Sequence, residues 1–175
     1  MATATWAELE LLFKRDPEQV NAFIEKHKEE LEDLLDWLDD PVAEFDTVFS
    51  WVYGVAVDWR EEEEAIIEYF NDVLDEDDSL TGECDFDTMK LMVDYNGIIH
   101  EIQLKESPAD RYIAIRGLQD IISDKYAIKL FEESYMSDTH SFLILHKDIW
   151  ERAGREFPAE VKKYFRNVTK TLDFP

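Results

Sequence analysis

Apolar and polar positions alternate along this chain with two different periods, and the change of period divides it. In the first half the spacing is helical. Trp6, Leu9, Leu12 and Phe13 share one face of "TWAELELLFKR". Asp16 then offers an N-cap, with Pro17 at the first helical position. Beyond it Val20, Phe23, Ile24, His27, Leu31, Leu34, Leu35 and Leu38 form one stripe, which predicts a single helix ending before Pro41. Its opposite face is acidic, with Glu25, Glu29, Glu32, Asp33, Asp36 and Asp40.

"EFDTVFSWVYGVAVDW" fits a helix at Phe45, Val48, Phe49 and Val52, while Trp51, Tyr53, Val55 and Val57 alternate as a strand would. The β-branched and aromatic residues around Gly54 favour a short helix followed by a strand. Asp58 is the expected cap of the next helix, with Glu61 at its N3 position and a core stripe of Trp59, Ile66, Ile67, Phe70, Val73 and Leu74.

From residue 89 the period becomes two. "TMKLMVDYNGIIHEIQL" predicts a hairpin turning at Asn96-Gly97. Its register sets Tyr95 opposite Ile98, Val93 opposite His100, Leu91 opposite Ile102 and Met89 opposite Leu104, which gathers one nearly apolar face. A helix follows from Ser107-Pro108, then strands at "YAIKLF" and "SFLIL". Two closing helices are expected, "KDIWERAGREF" and "PAEVKKYFRNVTKTL". The pattern predicts an α+β fold: an acidic, mainly helical subregion over 1–78, then a ββαββαα half over 86–175 with a mainly antiparallel sheet, in a single domain over 1–175.

Composition sharpens this picture through charge. The net charge is −24 over 175 residues. Residues 1–88 hold 28 Asp/Glu against 5 Lys/Arg, whereas residues 89–175 hold 14 against 13. Adaptation to high salt would spread carboxylates over the whole surface, so the asymmetry favours an interaction face. Such a charge opposes direct binding of nucleic acid or an anionic membrane. The longest apolar-leaning run, "VFSWVYGVAV", is too short to span a bilayer. With a single cysteine, Cys84, and an N-terminus that does not read as a signal peptide, a cytoplasmic protein is expected.

Motifs that carry chemistry are sparse. "DDSLTGECDFDT" has Gly82 where an EF-hand needs it, but Thr88 stands where the bidentate Glu belongs, so an acidic turn is the better reading. Asp138 and His140 could share a metal site, yet no third ligand has a diagnostic spacing. A polar turn is the competing explanation. His27 and His100 lie on apolar faces and are expected to be at least half buried without metal. No dinucleotide, phosphate-loop, nucleophile-elbow or zinc-protease motif occurs, so no cofactor is implied and nothing argues for an enzyme.

The stretch Asp58–Asp78 is the strongest anomaly. Glu61, Glu62, Glu63 and Glu64 open a helix, where the dipole favours anions by only ~0.3–1 kcal/mol each. Asp75, Asp77 and Asp78 crowd its far end, where the dipole opposes them. Together with Glu29, Asp33 and Asp36 they form the expected contact surface for a basic protein such as a nuclease or toxin. That is the charge logic of an immunity protein or a nucleic-acid mimic, with the two acid faces merging into one field. The alternatives are a small enzyme or metal-binding protein using Asp138 and His140, or an acidic scaffold.

Overall fold

A computed structural model describes residues 3–174. The chain is α+β, with eight α-helices and seven strands among the described residues, and every strand pairing is antiparallel. Helices α1 (Trp6–Lys14), α2 (Pro17–Lys26), α3 (Glu32–Leu35) and α4 (Phe45–Tyr53) precede strand β1 (Val55–Asp58) and helix α5 (Glu63–Asn71). Strands β2 (Leu80–Asp85), β3 (Lys90–Tyr95) and β4 (Ile98–Gln103) form a small sheet in sequence order. After α6 (Asp110–Ile121), strands β5 (Tyr126–Phe131), β6 (Thr139–His146) and β7 (Phe165–Asn167) join β1 in a second sheet of order β1-β6-β5-β7. A 3₁₀ turn (Glu132–Met136) links β5 to β6, and α7 (Lys147–Glu156) and α8 (Pro158–Tyr164) lead into β7.

The four-stranded sheet is apolar on both faces, and the alternation of β6 shows why. Phe142 and Ile144 point into one core with Val55, Val57, Ile128 and Leu130, beneath α5, α6 and the small sheet. Leu143 and Leu145 point the other way, into a core built by α1, α2, α4 and Trp150 of α7. The N-terminal helices and α5 therefore lie in opposite layers.

Several expected elements form as read. Asp16 caps α2 through the amides of Glu18 and Gln19 (3.0 and 3.3 Å). The hairpin has the expected register, with Leu91 paired to Ile102, Val93 to His100 and Tyr95 to Ile98. The Leu104 amide extends it to the Met89 carbonyl. Asn96 and Gly97 both adopt positive φ (53° and 82°), as a tight turn of this hand requires. His27 and His100 are both partly buried.

Five expectations need correction. The long acidic helix lapses between α2 and α3, although the amides of Leu31 and Leu35 still reach carbonyls four residues back. Like charges at Glu25/Glu29 and Glu29/Asp33 weaken a regular helix there. The His27 ring, packed on Phe23 at 4.6 Å and bonded to Glu30, closes the first segment instead. Asp58 ends β1 rather than capping α5: its carboxylate takes the Arg60 amide (3.0 Å) and the Thr139 hydroxyl (3.2 Å), and α5 starts at Glu63. Trp59 is half exposed and outside the core.

The supposed acidic turn is mostly strand β2, paired with β3 along its whole length, which also removes any calcium loop. Gly82 belongs there because a Cβ would lie 2.7 Å from Ile67 of α5. Lastly, the closing helix stops at Tyr164. Phe165 pairs with Phe131 and packs on its ring and on Trp150, each at 4.8 Å, so tertiary contact outweighs helix propensity.

Candidate functional site

The face of the central sheet that carries Leu143 and Leu145 loses its helical cover toward the β1 end. Its outward positions change accordingly, from leucines to Ser141 and Thr139 on β6 and to Ala56 and Asp58 on β1. Over these small and hydroxyl-bearing positions a groove of about 650 Å³ opens. Helix α4 supplies one wall with Asp46, Thr47, Ser50 and Trp51. The 3₁₀ turn adjoins it with Glu133, which accepts from Thr47 at 3.3 Å, and Ser134, and Glu61 and Tyr69 complete the lining from the α5 layer. Gly54 makes the tight passage from α4 into β1: its amide bonds the Ser50 carbonyl at 2.7 Å, and a Cβ there would stand 2.2 Å from that oxygen.

Four carboxylates, Asp46, Asp58, Glu61 and Glu133, line this groove, and among the described residues that line it there is no Lys, Arg or His. Arg15 pairs with Asp46 at 3.8 Å and also donates to the Ala43 carbonyl (2.6 Å) and the Tyr164 hydroxyl (3.2 Å). Burial, and then the neighbouring charges of Asp46 and Glu44, raise the Glu133 carboxyl above its ordinary value, against a hydrogen bond from Thr47 and the charge of Arg15. The Glu61 carboxylate likewise raises the Tyr69 phenol. Of the four carboxylates only Asp46 is in an ion pair, with Arg15 outside the lining; Asp58, Glu61 and Glu133 are in none among the described residues. Trp51 stands at the mouth, 61% exposed and off the buried stripe of α4. Acid over apolar walls beside an open aromatic ring suits a cation on an apolar stem, such as Arg or Lys.

The acids singled out from the sequence are distributed otherwise. Glu29, Asp33 and Asp36 are exposed on the α2–α3 segment, whereas Glu61, Glu62, Glu63, Glu64, Asp75, Asp77 and Asp78 belong to the α5 layer on the far side of the sheet. The fold therefore displays the two sets from opposite sides. Several are committed to structure. Glu64 accepts the Cys84 amide at 2.6 Å. Asp75 is bridged by Lys125 (2.7 Å) and His146 (2.8 Å), and Asp78 by Lys125 (2.6 Å), Tyr126 and Asn96. Asp77 and Glu62 are exposed, Glu63 is partly covered, and Glu61 alone of the set joins the groove.

Asp138 and His140 do not come together as a ligand pair. Asp138 is exposed, while His140 is 1% exposed with both ring nitrogens occupied. Nδ1 meets the Tyr112 hydroxyl and Nε2 the Tyr135 carbonyl, each at 3.2 Å. Since a carbonyl only accepts, Nε2 carries the proton and Nδ1 accepts from Tyr112, whose oxygen in turn accepts from Arg111 (2.9 Å). Burial, with the Arg111 cation nearby, pushes this imidazole below its ordinary pKa. Among the described residues no three His, Cys, Asp or Glu side chains are grouped to hold a metal ion, and no helix is long and apolar enough to cross a membrane.

Asp46, Asp58, Glu133 and Trp51 escaped the sequence reading as a group because they come from three separate segments, α4, β1 and the 3₁₀ turn. One signal was present: Thr139 and Ser141 break the apolar phase that Leu143 and Leu145 continue. Compared with known proteins, the chain matches no family model, no curated protein and no solved structure.

Proposed function

We propose that the protein is a binding module for a basic protein, and that the groove beside Trp51 receives a cationic side chain of that partner. The observation that carries this reading is the groove's four carboxylates with no cation in the lining, Asp46 alone meeting one, Arg15, from outside it. A chain of net charge −24 would steer a basic partner toward it, raising association rates at low ionic strength. A nuclease or toxin with a basic substrate-facing surface has the required chemistry, and masking that surface would inhibit it. The metal or enzyme reading loses its strongest support because both His140 nitrogens are engaged within the fold.

The test uses the peptide acetyl-Val-Arg-Val-Arg-Val-amide and its counterpart with citrulline, the neutral isostere of Arg. Tryptophan fluorescence is followed at about 0.05 M and about 0.5 M salt, where screening lengths differ severalfold. The Arg peptide should bind and weaken with salt, and the citrulline peptide should bind at least about tenfold less well. Equal binding of the two would remove the basis for a cationic partner.

A further inference from the structure

Strand β1 is an edge strand, and the groove that lies over the sheet face reaches it: Gly54, Val55, Ala56 and Asp58 all line it. Which of its backbone groups face outward follows from the neighbouring strand. The Ser141 amide donates to Ser134 Oγ (3.0 Å), on the side of β6 away from β1. Alternation then turns His140 and Phe142 toward β1, where they pair with Val57 and Val55. Ala56 and Asp58 consequently point their N–H and C=O groups away from the sheet. The Asp58 carbonyl is taken by the Glu61 amide (3.1 Å), but among the described residues nothing bonds the Ala56 N–H or C=O. Ala56 is exposed and small, so a second backbone can come close.

We infer that an extended, Lys- or Arg-bearing segment of the partner adds to this edge as a fifth strand, pairing with Ala56 and placing a cationic side chain in the groove. Period two explains the combination. Alternate side chains of an added strand point to opposite faces, one set over the face of the sheet that carries the groove, the other toward the α5 layer that bears Glu61 and Tyr69. Charge selects the occupant. A second copy of this chain would set Asp58 and Glu61 against their like, between molecules of charge −24, whereas a basic strand meets carboxylates on both faces. Unprotected edges are usually blunted by Lys, Pro or a covering element. Here the edge is left open and bordered by acid.

This inference rests on the cationic-partner reading, and the experiment separates the two. The same Arg–Val peptide is N-methylated at one residue at a time, which deletes single backbone donors without touching charge. Methylation should weaken binding about fivefold to tenfold at one position only, the residue opposite Ala56, and little at its neighbours, whose N–H groups face solvent. The variant Ala56→Pro removes the outward N–H at an edge position that tolerates proline, and it should weaken the unmethylated peptide by a similar factor. Salt-sensitive binding that ignores every methyl group would overturn strand addition and leave the cationic reading standing. Absence of binding at low salt would overturn both. A concentration-dependent dimer lost in Ala56→Pro would show that the edge serves self-association and overturn the assignment.

Discussion

Removing the Tyr112 hydroxyl with Tyr112→Phe isolates what His140 does. Tyr112 is 6% exposed and His140 1%, so no solvent replaces the lost donor. The aromatic packing survives: the ring still stacks on Phe174 at 4.1 Å and sits under Arg111 at 4.3 Å. Arg111 keeps its 2.7 Å bonds to the Trp59 and Pro108 carbonyls. What is left is a buried orphaned acceptor, His140 Nδ1, and an Arg111 Nη2 donor that loses its Tyr112 acceptor; a buried unsatisfied group costs about 1–3 kcal/mol. For a domain of this size a loss of about 2 kcal/mol lowers Tm by roughly 4–8 °C. The pH dependence has a definite sign. The folded-state pKa of His140 is depressed, so its contribution is complete above about pH 6.5 and is lost as pH falls toward the folded value. Without the Tyr112 donor, Nδ1 accepts a proton more readily, and the gap between wild type and variant narrows on acidification. Urea melts at about pH 7.5 and about pH 5 measure both effects. A gap below about 0.5 kcal/mol at the higher pH, or one that widens at the lower, would refute a structural His140 held by Tyr112.

Gly54→Ala should destabilise the fold by more than about 2 kcal/mol, because its Cβ meets the Ser50 carbonyl and Ser141 Oγ at 2.2 and 2.6 Å; a neutral effect in thermal melts would contradict the tight α4–β1 passage. Burial, with Glu64, Glu63 and Glu62 alongside, pushes the Cys84 thiol up to about 11. Alkylation by iodoacetamide near pH 8 should therefore run roughly a hundredfold slower than for a free cysteine, and a rate matching free cysteine would show the thiol is not so placed. Lys125→Met should destabilise the protein at neutral pH by stripping Asp75 and Asp78 of their cation. Burial opposes ionisation of Asp78, but bonds from Lys125, Tyr126 and Asn96 outweigh it and hold its pKa at about 2, so this stabilisation is full above about pH 4 and lost as pH falls through about 2. A deficit of equal size at pH 7 and near pH 2 would refute that coupling.

Legibility in the sequence tracked how local each determinant was. The hairpin register followed from alternation around Asn96-Gly97, and the α4–β1 junction from the change of period at Gly54. Strand β2 was hidden because its inward positions are Leu80, Gly82 and Cys84, a weak apolar signal set among acids. It pairs with β3 and packs through Gly82 on Ile67 of α5, a contact that no local pattern announces. Strand β7 was hidden by a helix-prone neighbourhood that Phe131 and Trp150 overrule. The acid of residues 58–78 was visible, but not its division between ion pairs at Asp75 and Asp78 and a groove acid at Glu61. Charge counts report abundance, whereas the groove depends on which carboxylates folding gathers, three of them (Asp58, Glu61 and Glu133) in no ion pair among the described residues.

That distinction sets the decisive measurement: association and dissociation rates of the Arg–Val peptide on two triple variants that remove equal charge. Asp46→Asn, Asp58→Asn and Glu133→Gln strip the groove, while Glu29→Gln, Asp33→Asn and Asp36→Asn strip the exposed α2–α3 acids. If the groove is the docking site, the first set should raise Kd at least about tenfold, mainly through faster dissociation, and the second should only slow association by a small, salt-erased factor. Equal losses from the two sets would show that the protein attracts cations through its total charge and that the groove is not where they dock.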